Sequence, residues 1–115
     1  MPPKGLKTRS YYILLALAGG ARHGLAIARE ALALSDGGVR LWPATLYGTL
    51  EDLADRGWIA EVDDHQGRPA DESERRRYYR ITRAGHAALT AETERLAALV
   101  RLARSRAKSR TGETL

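Results

Sequence analysis

The stretch from Leu41 to Gly85 constrains the fold more than any other part of the chain. It opens with Pro43-Ala44-Thr45-Leu46-Tyr47-Gly48-Thr49-Leu50, where the proline suits the first position of a helix because its missing N–H has no intrahelical partner there anyway. Leu46, Leu50 and Leu53 repeat at the spacing of one buried helical stripe. Gly57 stops the helix, and Trp58 to Asp63 reads as a strand. A polar loop from Asp64 to Glu74 leads into a returning strand, Arg75-Arg76-Arg77-Tyr78-Tyr79-Arg80-Ile81-Thr82. Alternation places Tyr79 and Ile81 on its inner face and Tyr78 and Arg80 on its outer one.

The flanking segments are helical by the same criteria. Ser10 can cap a first helix in which Tyr11 to Ala18 is almost continuously apolar, ending at Gly19-Gly20. Such a helix is covered on more than one side, by its own core and by a second subunit. A second helix runs from His23, which caps it or packs at its start, through Leu34, and Ser35-Asp36-Gly37-Gly38 breaks the chain. Thr82 caps a last helix from Arg83 to about Arg106. Along it Leu89, Thr93, Leu96, Val100, Ala103 and Ala107 mark a coiled-coil seam, too short and too rich in small residues to pair without help from the first helix. The architecture is therefore mainly α with a small β-hairpin: a winged helix-turn-helix over residues 10–82 and a dimerisation helix over 83–106. A flexible basic arm (1–9) precedes it, and a disordered tail (107–115) follows.

Bulk properties narrow the function classes. A chain of 115 residues fits one domain and leaves no room for a separate ligand-binding domain of ordinary size. No apolar run approaches the roughly 20 residues of a membrane span, and Arg22-His23 interrupts the first apolar stretch too early for a secretory signal. The absence of cysteine removes disulfides, thiolate nucleophiles and thiolate metal sites, which fits a cytoplasmic setting. The formal charge is +5, but residues 101–115 carry five cations against one acid, a net of +4, leaving +1 for the rest. Local placement of charge, not the total, has to identify a partner. His23, His65 and His86 have no metal-ligand spacing, and Asp63-Asp64-His65 is too contiguous to converge on one ion. No nucleophile, base and orienting group pair up, and no phosphate-cradling glycine loop is present, so the chain is not read as an enzyme and no cofactor is expected.

The three-helix start, Ile13-Leu14-Leu15-Ala16-Leu17, His23-Gly24, Pro43-Ala44-Thr45-Leu46-Tyr47, Gly57-Trp58-Ile59, Arg77-Tyr78-Tyr79-Arg80-Ile81-Thr82 and Ala84-Gly85 together resemble the PadR family of bacterial transcriptional regulators over about residues 10–90. The resemblance implies a homodimeric winged-helix repressor that binds a near-palindromic operator in double-stranded DNA and releases it on a small-molecule or other signal. The single C-terminal helix resembles the shorter subgroup. The chain departs from the family pattern at Leu25, at Trp42, at Ala44 and at the acidic Asp71, Glu72 and Glu74.

By the 100° helical step Ala44, Thr45 and Gly48 face outward early in the third helix, and Glu51, Asp52 and Asp55 near its end. A neutral first two turns, with the free N–H groups of the helix start, permits an end-on approach to a groove. Candidate DNA contacts are Ala44, Thr45, Tyr47, Gly48 and Thr49 of this helix, Arg68, Arg75, Arg76, Arg77 and Tyr78 of the hairpin, and Lys4 and Lys7, with Arg9, in the basic arm. Tyr47, on a flank, either packs beneath the wing or meets a phosphate. Trp42 is read as a structural plug, because one tryptophan beside a proline defines no ligand pocket. Candidate dimer contacts are Tyr11, Tyr12, Leu15, Leu89, Thr93, Leu96, Leu99, Val100 and Ala103. From Arg83 onward there is no aromatic residue to build an aromatic-ligand pocket. The rival reading is a winged-helix module that binds protein through the acidic helix face and hairpin, without specific DNA binding.

Overall fold

The computed structural model describes residues 6–62 and 77–113, with side chains to residue 108. Along these residues the elements are α1 (Thr8–Ala18), β1 (Arg22–His23), α2 (Gly24–Leu34), α3 (Pro43–Asp55), β2 (Ile59–Val62), β3 (Tyr78–Ile81) and α4 (Arg83–Glu113). This is a mainly helical winged helix-turn-helix with a C-terminal helix, as the sequence implies.

The core lies where three helices meet the sheet. Ile13, Leu14 and Leu17 of α1, Ile27 and Ala31 of α2, and the Leu46, Leu50 and Leu53 stripe of α3 pack with Leu41, Ile59, Tyr79 and Leu89. Each large side chain among them contributes roughly 1.5–3 kcal/mol by leaving water. That burial sets the position of α3, whose opposite face is left to solvent.

Local chemistry explains most of the boundaries. His23 caps α2, its Nδ1 accepting the Ala26 N–H at 3.2 Å. The Ser35 hydroxyl closes the same helix by donating to Leu32 O and accepting from Val39 N–H at 2.8 Å. Trp42 precedes α3 without a side-chain cap bond, and Pro43 opens the helix. Gly57 then turns the chain at φ +77°, a left-handed conformation that a side chain would strain.

Three boundaries differ from expectation. Ser10 is not the cap of α1: the helix begins at Thr8, Lys7 is its N-cap residue, and Ser10 is buried one turn inside. The hairpin is part of a three-stranded sheet of order β1-β3-β2, because Arg22 and His23 pair antiparallel with Tyr79 and Tyr78. Two residues are too few to show an alternating pattern. The last helix continues to Glu113 instead of ending near Arg106, so residues 107–113 extend it. At 31 residues α4 is about 46 Å long.

On the other edge of β3, Ile59 pairs with Ile81 and Glu61 with Tyr79. Tyr79 faces the core and Arg80 solvent, in the expected alternation. At the end of β3 the Thr82 N–H donates to Trp58 O at 3.0 Å. The Thr82 hydroxyl donates to Gly57 O at 2.6 Å and accepts the Gly85 N–H at 3.0 Å, which caps α4. Gly85 is pressed so tightly onto this junction that a Cβ there would collide with Trp58 O and come within 2.8 Å of Ile81 Cγ1.

An alanine in a helix interior ordinarily gains about 1 kcal/mol over glycine. Gly85→Ala should reverse that sign and cost about 1–3 kcal/mol, because backbone rather than a flexible side chain must give way. Thermal unfolding followed by circular dichroism would show a lowered Tm, and an unchanged or raised Tm would refute the close approach.

Candidate nucleic-acid interface

The outward face of α3 borders a cleft of about 390 Å³ shared with the start of α1. Ala44, Thr45 and Gly48 form its neutral floor, and Lys7, Arg9 and Arg56 stand around it. The three small residues are exposed, so backbone and short side chains lie open to an approaching surface. Arg56 bonds Asp52 at 3.0 Å, an exposed pair that offsets one of the acids on this helix. Glu51 and Asp55 remain exposed on the same helix. Arg56 is absent from the sequence candidates, although it follows Gly48 and Asp52 at the spacing of one helix face, a signal that would have found it. A second groove, of about 250 Å³, continues from the first through Arg9 and Thr45 to Val39 and Arg40.

Thr49 also lines the first cleft, but little of it is exposed. Its side chain is only 9% exposed, and its hydroxyl donates to Thr45 O at 2.7 Å within the helix. The i, i+4 back-bond satisfies the hydroxyl internally and turns it from solvent. Tyr47 packs over the start of α2, so close that a Cβ on Gly24 would lie 2.7 Å from its hydroxyl, yet half of the residue stays exposed. The hydroxyl end of Tyr47 thus rests on the start of α2, while the rest of the residue keeps its exposure.

On the sheet, Tyr78 is half-buried with its ring edge-on to His23, centroids 5.5 Å apart. Arg77 is exposed and pairs with Glu61 at 3.5 Å. An exposed pair of this kind is worth about 0–1 kcal/mol, little enough to be exchanged for a phosphate. Burial, then the nearby Glu61 carboxylate, pushes the Tyr79 hydroxyl above its ordinary pKa. Arg68, Arg75, Arg76 and Lys4, like Asp71, Glu72 and Glu74, lie outside the described residues.

The candidate dimer residues divide between two environments. Leu89 belongs to the chain's own core and is not left for a partner. Thr93 bonds the Tyr11 hydroxyl at 2.8 Å, tying α4 to α1, and Leu96 is half-buried. Beyond it Leu99, Val100 and Leu102 are exposed apolar residues, as is Leu15 on α1, while Tyr11 and Tyr12 are partly covered and Ala103 is open. From residue 98 onward the described side chains of α4 all face solvent.

Glu92 gave no signal in the sequence. It is 6% exposed, and its carboxylate takes both the Nε and an Nη of Arg95, the former at 2.9 Å. It also accepts from the Leu6 backbone N–H, next to Lys7. The Arg95 hydrogen bond is the main cause that holds its carboxyl below the usual value of 4.5. Glu92 therefore anchors the segment that leads into the cleft to α4.

Among the described residues no group of three or more His, Asp or Glu could hold a metal ion, and no described helix is long and apolar enough to cross a membrane. A small wing beside an open third helix defines a winged helix-turn-helix domain. The model of the PadR-like family of transcriptional regulators matches residues 13–91, and the chain belongs to that family, whose members are regulators rather than enzymes. Solved structures share the fold. A PadR family regulator from Clostridium difficile R20291 superposes with a TM-score of 0.70 at 18% identity, covering 86% of this chain and 97% of that one. RosR of H. salinarum gives 0.61 at 25% identity, covering 90% and 96%. PadR of Bacillus subtilis, in complex with operator DNA, gives 0.60 at 22% identity, covering 74% of this chain and 46% of that one. No curated protein sequence matches the chain.

The depressed Glu92 pKa fixes a sign for acid stability. A carboxylate held below its unfolded value stabilises the fold fully above about pH 4.5 and loses that contribution as pH falls through the folded value. Glu92→Gln should therefore lower Tm at pH 7, and the gap from the wild type should shrink towards pH 3. A gap that stays constant over that range would show that the carboxylate charge is not what stabilises the contact.

Proposed function

We propose that the chain is a homodimeric repressor that binds a near-palindromic operator and releases it when a signal alters the dimer. The observation that carries this reading is the cleft beside α3: Ala44, Thr45 and Gly48 form a neutral stretch, and Lys7, Arg9 and the Arg56–Asp52 pair flank it. Small neutral residues let a helix approach base edges, and the surrounding cations meet the phosphates on either side. The B. subtilis relative in complex with operator DNA supports the same partner for this chain. On the wing, Arg77 and Tyr78 extend the contact to the flanking backbone, joined by Arg68, Arg75 and Arg76, with Lys4 on the arm and the Tyr47 hydroxyl beside α3.

The exposed Leu99, Val100 and Leu102 support the dimer, since a helix standing clear of its domain gains most of its stability from a packed apolar face. Two copies joined along this half of α4, with Leu15 and the half-buried Tyr11, Tyr12 and Leu96 at its base, would present two α3 helices to successive major grooves about 34 Å apart. A small molecule or other signal that repacks the pair would change that spacing and hence the affinity.

Titration of the chain's own upstream DNA at several salt concentrations tests the reading. Saturable, sequence-dependent retardation is expected, with log K falling by about 0.9 per phosphate contact for each decade of salt. Lys7→Ala with Arg9→Ala should weaken binding to operator and random duplex alike and flatten the slope. Retardation no better than on random DNA at moderate salt would favour a protein-binding module that uses Glu51 and Asp55. Val100→Glu leaves the chain's own core untouched and should yield a monomer by sedimentation with operator binding lost. A wild-type chain that is already monomeric at micromolar concentration would overturn the dimer.

A further inference from the structure

Trp42 does not act as a plug. It is 64% exposed at the N-cap position of α3, next to Pro43. A residue before proline is confined to extended backbone, and Trp42 sits there at φ −73° and ψ 154°, which sets the direction of its Cα–Cβ bond. One side of the ring borders a hollow of about 160 Å³ with Ala28, Leu32 and Leu41. Arg40 lies over the ring, its guanidinium carbon 5.7 Å from the ring centroid. Arg40 also lines the groove that leads through Arg9 and Thr45 to the outward face of α3. The tryptophan is thus continuous with the candidate interface, at the end of the helix that meets a groove first.

We propose that Trp42 is a specificity-determining residue whose indole packs on thymine C5-methyl groups at the outer edge of the operator half-site. Arg40 and Arg9 hold the adjoining phosphates. The inference rests on the reading of the chain as an operator-binding protein. Apolar contact with the thymine methyl is how a side chain without a matching donor or acceptor discriminates bases in the major groove. The cations on the groove side fit a polyanion better than they fit an apolar or basic protein surface. A bare tryptophan at this position supplies the apolar reading element that Ala44, Thr45 and Gly48 are too small to provide.

Trp58→Phe leaves Trp42 as the sole tryptophan, and its emission is followed while an upstream duplex that gives saturable retardation is added. Quenching that saturates with binding is expected. Replacing the half-site thymines by deoxyuridine, which removes only the methyl groups, should weaken binding of the wild type by about tenfold, the scale of one lost base contact. Trp42→Ala, with an unchanged Tm, should bind the thymine and uracil duplexes equally. Unperturbed emission, or equal wild-type affinity for both duplexes, would overturn the proposal and leave operator binding intact. Failure of the wild type to retard any upstream duplex would overturn both readings.

Discussion

The junction of Gly57, Trp58, Thr82 and Gly85 is the constraint on which the remaining geometry depends. Trp58 O takes the Thr82 N–H, and the Thr82 hydroxyl joins Gly57 O to the Gly85 N–H. Four element ends therefore meet at a few bonds: the exit of α3, the start of β2, the end of β3 and the cap of α4. Gly85 has no Cβ, so α4 sits directly on the Trp58 carbonyl. Any side chain there would tilt the helix away. The angle between α4, which carries the proposed dimer surface, and α3, which carries the proposed reading surface, is set at this point.

A second linkage runs on the other side of α4. Glu92 holds the Leu6 N–H while Tyr11 bonds Thr93, so the start of α1 and its Lys7 and Arg9 are fastened to the base of the same helix. Both sides of the cleft, α3 and the α1 start, thus answer to the position of α4. Under the proposed regulation, repacking of α4 would reach the groove-facing residues through these contacts. Charge follows the same plan. The acids of α3 are partly offset at Asp52 by Arg56, and the cations of α1, Arg40 and Arg56 surround the neutral turn.

Much of this was legible in sequence, and the misses share causes. The Leu46, Leu50 and Leu53 stripe, the Pro43 start, the Gly57 stop, the His23 and Thr82 caps and the inward Tyr79 follow from spacing or from local bonding that each residue type makes. Ser10 failed as a cap because the helix starts earlier, at Thr8, which leaves Ser10 inside its first turn. β1 escaped because two residues carry no period, and their strand character comes wholly from pairing with β3. Thr49 lines the cleft, yet its hydroxyl bonds its own helix, which sequence does not record. Glu92 and Arg40 carry no mark in sequence, since a glutamate on a helix and an arginine in a loop are usually solvated.

The sequence by itself determined the order of the four helices and the two hairpin strands, the buried stripes and the family, because period, caps and breakers act over a few residues and need no partner from afar. Only the tertiary structure decided which face of each helix remained open. It buried Leu89 and Glu92, left Val100 and Trp42 exposed, and brought Lys7 and Arg9 to the side of Thr45 and Gly48. Those outcomes depend on how distant segments pack, through close contacts such as those at Gly24 and Gly85 and the bonds of Thr82 to Gly57 and Trp58, whose partners no local pattern records.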